Sequence, residues 1–278
     1  MNCAWEALIS ILPQDLRSDV DKFGRETMQE LRLRLGQPAE MVCRNTNRWL
    51  TRSVRVDDLS FVINAASRYS PWAATSAAQG YITAPGGHRV GICGECIVQK
   101  GQMTGVNKPN ALCIRVARDF PGIAKGCDLC GSVLILGPPG SGKTTLLRDL
   151  IRRRSEESGQ CITVVDERGE IFPSGAQFPK GRRTDVLTGC KKAHGLELAL
   201  RTMGPAAIAV DEITARADCE ALLHAAWCGV DLLATAHACS GKDLLRRELY
   251  KPLAEAKIFD TLLVLDRDKT WRRERIGV

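Results

Sequence analysis

A chain of 278 residues, 44% hydrophobic and 26% charged, has apolar content for one large or two modest packed domains and the ordinary balance of a globular protein. No run approaches the ~18 uninterrupted apolar residues of a membrane-spanning helix, and the opening MNCAWEALISILPQDL carries Glu6 but no basic leader or small-residue cleavage site, so it is not read as an export signal and a cytoplasmic location is expected. The net charge is +7 with only 5% aromatic residues, too few to interleave a stacking surface for single strands, so nucleic acid is not indicated.

The positive excess is scattered over Arg152–Arg154, Arg182–Arg183, Lys191–Lys192, Arg246–Arg247 and Arg272–Arg273; these runs read as solvated faces, with a few arginines left to meet phosphate. Without an export signal the 12 cysteines should be reduced. Cys113, Cys161 and Cys228 read as small core residues among apolar neighbours. Cys93–Cys96 and Cys127–Cys130 have metal-ligand spacing, but a four-thiolate site needs both pairs to meet, and no stoichiometric zinc is expected.

In chain order, ELRLRLGQ alternates apolar residues at Leu31, Leu33 and Leu35, as in a half-buried strand. Asp57–Tyr69 is helical in pattern. Gly80–Thr83, a PGG turn at Pro85–Gly87 and HRVGICGECIV (His88–Val98) follow, with glycines spaced like hairpin turns or bulges. Leu112–Val116 is a further strand. Residues 1–126 therefore read as a small α+β domain, with Phe120–Gly126 as linker. From Val133 the pattern changes. Short apolar runs at Val133–Leu136, Cys161–Asp166, Ala206–Asp211, Asp231–Ala236 and Leu262–Leu265 alternate with helical stretches at Thr144–Arg154 and Ala217–Cys228. Continuous apolar strands between helices indicate a mostly parallel sheet covered on both faces. Residues 127–278 are expected to be a RecA-like α/β domain.

GPPGSGKT, directly after an apolar strand and directly before a helix, fits the phosphate-binding pattern in the context that its chemistry requires. Glycines let the backbone wrap an anion, its N–H groups point inward, and the helix N-terminus adds positive potential. Gly137, Pro138, Pro139, Gly140, Ser141, Gly142, Lys143, Thr144 and Thr145 are thus the candidate nucleotide-binding residues. Lys143, expected on a surface loop, should reach the β- and γ-phosphates of ATP, and the Thr144 hydroxyl should bind magnesium. Asp211 ends an apolar strand where α/β sheets bind ligands, and is the second candidate for the magnesium shell. Three residues at strand ends are candidates to orient or deprotonate water: Glu167, Glu212 and His237.

Taken in order, ELRLRLGQPAE, GYITAPGGHRVGICGE, IRVARD, GPPGSGKTTLLRDLIR, VVDERGEI, DVLTGCKKAHGLELALRTMGP, AIAVDEI and TAHA form a set. On it the chain resembles the stage III sporulation protein AA family, relatives of the secretion-superfamily ATPases of type II and type IV secretion and pilus motors. The resemblance implies roles: Glu167 as the acidic-box glutamate acting on the attacking water, Asp211 and Glu212 as the Walker B pair, His237 as the γ-phosphate-sensing histidine, and Arg201 as an arginine preceding Walker B. It implies a ring, usually hexameric, closed by the N-terminal domain, so that His88, Arg89, Arg115 and Arg118 become candidates to contact phosphate. It also implies a mother-cell ATPase at the cytoplasmic base of a secretion-like membrane channel in an endospore former. Two features depart from the family pattern. Thr214 and Ala238 stand where glycine is usual, and the stretch between GCDLCG and the P-loop strand is short. Two further classes stay open at this stage, a nucleotide-dependent nucleic-acid binder and a nucleotide-gated scaffold with little turnover. The VDE position favours Glu212 as water activator and the resemblance favours Glu167, to which the role is assigned here.

Overall fold

Residues 1–44, 46–68 and 80–274 are described by the structure, a computed structural model. They fall into two units, Met1–Asp119 with Pro173–Gln177, and Phe120–Phe172 with Phe178–Val278. In the first, α1 (Trp5–Ser10) and α2 (Gln14–Gly24) are separated by Pro13, whose φ of −55° suits entry into a helix. Leu16 and Val20, one turn apart on α2, are both buried. Strand β1 (Met28–Arg34) buries Leu31 and Leu33 as their alternation predicts, while Leu35 lies past its end and is exposed. Strands β2 (Pro38–Cys43) and β3 (Arg48–Ser53) precede α3 (Val56–Ala66), which buries Leu59, Val62 and Ala66. The helix is shorter than expected, and Tyr69 lies outside the described residues. After β4 (Tyr81–Thr83) and the Pro85–Gly87 turn come β5 (Arg89–Gln99) and β6 (Gln102–Arg115).

The β5–β6 turn places Lys100 and Gly101 at φ of 50° and 76°, the mirror-image geometry that matches strand twist, and the register shifts between Cys93 and Glu95, where Gly94 makes a bulge. The sheet order is β3-β2-β1-β6-β5-β4, antiparallel throughout, and its core joins Leu8, Leu16, Leu31, Leu59 and Ile114.

His88, a candidate phosphate contact by resemblance, is fully buried in this unit. The Ala117 N–H donates to Nδ1 at 3.1 Å, which leaves the proton on Nε2, 2.9 Å from the Ala4 carbonyl that accepts it. Burial pushes the ring below the ordinary imidazole value, against the Ala4 carbonyl, which favours the charged form. The unfolded chain therefore takes up this proton at higher pH than the folded unit, and stability falls as pH drops through the ordinary imidazole range. Denaturant unfolding at about pH 7.5 and about pH 5.5 should show this loss in the wild type and a smaller one in His88→Asn; equal slopes would assign the acid sensitivity elsewhere.

The second unit follows the continuous apolar pattern. Strands β7 (Val133–Leu136), β8 (Ile162–Asp166), β10 (Ala207–Val210) and β12 (Thr261–Leu265) are buried at every position, and β11 (Asp231–Ala236) at all but its first. With β9 (Thr184–Thr188) and β13 (Trp271–Glu274) they form a sheet of order β13-β12-β7-β11-β10-β8-β9, parallel except for β13. Side chains alternate across it. Leu134, Leu136, Ile208, Val210, Leu232 and Ala234 cluster with α5 (Lys192–Thr202) and α6 (Arg216–Trp227), whereas α4 (Lys143–Arg153), with Leu146, Leu147, Leu150 and Ile151 buried, packs on β7 and β11. Short helices α7 (Gly241–Arg246) and α8 (Lys251–Glu255) precede β12.

Phe120–Gly126, expected as a linker, belongs to this unit: Ala124 is buried and Asp149 accepts the N–H groups of Gly122 and Ala124 at 2.9 and 2.8 Å. Of the cysteines expected in the core, Cys161 and Cys228 are exposed because they stand just outside β8 and α6, and Cys113 is half-buried; Cys127 and Cys219 are the buried ones. Arg154, in a run expected to be solvated, is fully buried, and its Nη2 donates to the Asp128 and Cys130 carbonyls at 3.3 and 3.0 Å.

Candidate functional site

The candidate residues gather at the carboxyl ends of β7, β8, β10 and β11. After β7 the chain turns through Gly140 and Gly142 at φ of 75° and 101°, a left-handed region open to glycine without strain, and Gly142 caps α4. Lys143 is buried rather than at the surface, because its ammonium folds back on the loop, donating to the Gly137 and Pro138 carbonyls at 2.9 and 3.0 Å. Burial lowers its pKa, against the pull of Asp211 and Glu212.

Lys143 Nζ also lies 3.1 Å from His237 Nδ1. With the ammonium as donor, Nδ1 accepts, the ring proton sits on Nε2, and Nε2–H donates to Glu212 Oε1 at 2.6 Å. A Lys143–His237–Glu212 chain thus joins the start of α4 to the ends of β11 and β10. Burial raises the Glu212 carboxyl, but His237, Arg168 and Lys143 together bring it below its ordinary value; the Arg168 contact measures 3.5 Å.

The second connection runs through Asp211. Thr144 Oγ1 donates to Asp211 Oδ2 at 2.7 Å, and Thr235, fully buried in β11, donates to Oδ1 at 2.6 Å. The Thr235 oxygen also accepts the Glu212 N–H at 2.7 Å, fixing a residue whose backbone has φ of 53°, uncommon outside glycine. The hydroxyl of Thr144 and the carboxylate of Asp211 are hard oxygen donors of the kind that magnesium takes. Ser141 Oγ is buried without a hydrogen-bond partner, and Thr145, on α4, is half-buried. An unpaired hydroxyl in a glycine-turned loop at a helix N-terminus fits a phosphate ligand.

Glu167 follows β8. Asp166 below it accepts the N–H groups of Glu170, Ile171 and Phe172 at 2.8, 2.9 and 2.9 Å; burial nevertheless pushes its carboxyl up. From α4, Arg148 donates to the carbonyls of Glu170 and Ile171. The turn that presents Glu167 is therefore held from two sides. Glu167 itself meets Lys192, whose Nζ is 2.6 Å from Oε2, and the two line a pocket with Asp211 and Glu212. Helix α5 lies directly on β8 at Gly195, where a Cβ would stand 2.4 Å from Val165 Cγ1 and 2.9 Å from Cys190 Sγ.

The structure brings Lys143, Thr144, Asp211, Glu212, His237 and Glu167 to one rim of the sheet. Arg201 stands elsewhere, exposed near the far end of α5 and paired with Glu197 at 3.0 Å. In the first unit Arg89 stacks on Tyr81 with 3.9 Å to the ring centroid, Arg115 pairs with Glu30 at 3.3 Å, and Arg118 donates to the Arg25 and Met28 carbonyls at 2.7 and 3.2 Å. Sequence reasoning missed Lys192, Arg168, Arg148 and Thr235. Thr235 alone left a signal, a polar residue inside the apolar run DLLATA. Of the two positions without the usual glycine, Thr214 gives its N–H to Asp218 Oδ2 at 3.0 Å and Ala238 is buried.

A sequence profile of the family described as sporulation stage III, protein AA, matches residues 5–275. Stage III sporulation protein AA of Bacillus subtilis (strain 168) is 34% identical over 279 residues, which span 94% of this chain and 91% of that one. Among solved structures, the pilus retraction motor PilT with bound ADP superposes with a TM-score of 0.62 at 18% identity, over 90% of this chain and 76% of that chain. The Yersinia pseudotuberculosis ATPase DotB does so with a TM-score of 0.63 at 16% identity, over 97% and 81%. At such identities the likeness is one of fold, a mostly parallel α/β sheet preceded by an antiparallel one, and with the profile and the Bacillus relative it leads to one conclusion: the chain belongs to the stage III sporulation protein AA family.

Proposed function

We propose that the chain binds Mg-ATP on the Gly137–Thr145 loop and hydrolyses it, as a ring-forming motor ATPase that energises a secretion-like sporulation channel between mother cell and forespore. The observation that carries the reading is the double link from the start of α4 to the ends of β10 and β11: Thr144 to Asp211 at 2.7 Å, and Lys143 through His237 to Glu212 at 3.1 and 2.6 Å. The three N–H donors of Lys143, now on the Gly137 and Pro138 carbonyls and His237 Nδ1, exchange these partners for phosphate oxygens when nucleotide enters, and Ser141 has an unused donor. Thr144 and Asp211 would hold magnesium, whose charge would neutralise those oxygens. Glu167 orients water and draws its proton, with Glu212 in support. His237, bonded to both Lys143 and Glu212, registers the terminal phosphate through the lysine.

Arg89, Arg115 and Arg201 are the arginines proposed to meet phosphate in an assembled ring, hexameric by analogy; Arg118 and His88 already serve carbonyl and amide groups of the first unit. Among the described residues no helix is long and apolar enough to cross a membrane, which accords with a place at the cytoplasmic face of a channel built by other proteins. Purified protein should release phosphate from ATP only with magnesium, and faster at concentrations where it assembles. Binding without release would favour the nucleotide-gated scaffold, and neither binding nor release would overturn the proposal.

A further inference from the structure

Lys192 opens α5 and is buried. Both facts oppose a cation there. The start of a helix is the positive end of its dipole, and an ammonium taken from water is strongly destabilised unless a counter-charge meets it. Glu167 supplies that charge at 2.6 Å. The other carboxylate nearby, Asp218, is 3.9 Å away, and its Oδ2 already accepts the N–H groups of Thr214 and Ala215 at 3.0 Å each, at the start of α6. Helix α5 does not depend on an ion for its seat, since Leu196 and Ala199 are buried in the core and Gly195 allows close contact with β8. Glu167 is about a third exposed and faces the pocket shared with Asp211 and Glu212.

Building on the reading of the site as an ATPase, we infer that Lys192 is a positioning residue: it fixes the rotamer of Glu167 and holds its carboxylate towards the pocket shared with Asp211 and Glu212. A glutamate at the end of a strand has three side-chain torsions to settle. The turn beneath it is clamped by Asp166 and Arg148, but only Lys192 fixes the carboxylate within hydrogen-bond distance among the described contacts. Misplacement of a reacting group by about 1 Å can cost about 10²-fold in rate.

The test uses the full chain with Lys192→Met, Lys192→Arg, Glu167→Gln and the double variant Lys192→Met/Glu167→Gln. Affinity is measured with Mg-ATP by calorimetry, and kcat and KM by phosphate release. Lys192→Met is expected to lower kcat by about 10–10²-fold with ATP affinity within about twofold, and Lys192→Arg to fall between it and the wild type. In the Glu167→Gln background, Lys192→Met should change kcat by less than about twofold, because its route of action is already gone. Unchanged kcat in Lys192→Met overturns the inference, and so does an equally large loss in the Glu167→Gln background. A parallel loss of ATP affinity also overturns it, since that marks a direct phosphate contact. Should Lys192→Met not fold, the double variant, which removes both charges, is compared with Glu167→Gln alone: equal turnover supports the inference and a further drop refutes it. A wild-type chain without turnover removes the ATPase reading and this inference together; an active wild type with an unaffected Lys192→Met removes the inference alone.

Discussion

Lys143→Ala is expected to lower phosphate release by about 10²–10³-fold, the usual cost of removing one preorganised donor from a transition state, and to weaken ATP binding while the fold survives. The side chain is buried, so some stability should be lost as well. Its partners are two loop carbonyls and His237 Nδ1, all at the rim of the sheet, where water can replace the ammonium, and about 1–3 kcal/mol is a fair bound for the unpaired acceptors. The helix behind the loop does not need Lys143, since Leu146, Leu147, Leu150 and Ile151 seat it. The loss should therefore appear in nucleotide affinity and phosphate release far more than in the thermal midpoint. Hydrolysis at the wild-type rate in a folded Lys143→Ala protein would end the reading of this loop as a nucleotide site.

The second large effect separates the two glutamates. Glu167→Gln should cut turnover by about 10²–10⁴-fold with ATP binding spared, as expected when a water-orienting base is lost. Glu212→Gln should do less. Its Oε1 accepts from His237 Nε2, and a glutamine oxygen can keep that bond; what it loses is its charge beside Arg168 and Lys143. Affinity and steady-state turnover measured on each variant decide the matter. If Glu212→Gln traps ATP while Glu167→Gln turns over normally, the roles reverse. Equal large losses would mean that the pair acts as a unit, which kinetics cannot apportion.

What was legible in the sequence was what the core enforces. VLIL, ITVVD, AIAV and DLLATA read as strands because parallel strands covered on both faces need apolar residues at nearly every position. GPPGSGKT stood out because glycine, lysine and threonine sit at the fixed offsets of a phosphate-binding pattern, and the segment lies between β7 and α4 as expected. Edge strand β9, TDVLT, escaped notice because its residues are half-buried or exposed and show no single period. Helix α5 was hidden by a glycine in its first turns and a lysine pair at its start, both against helix rules. Charge placement was the least legible property. Lys191–Lys192 and Arg152–Arg154 look like any basic run, yet Lys192 and Arg154 are buried while Lys191 and Arg152 are not. A run of like charges tells nothing of which member finds its counter-ion through the fold.

The close seat of α5 on β8 makes Gly195 a gauge block for the distance between two charged groups that it never touches. Any side chain there would meet Val165 and Cys190 well inside contact distance, lifting the helix off the strand. Lys192 rides on that helix and Glu167 extends from that strand, so the gap between their charges would open. A position with no hydrogen-bonding side chain, no charge and no place in the pocket thereby sets the separation of Lys192 and Glu167, and a change there would mimic the loss of the lysine three positions away along the chain.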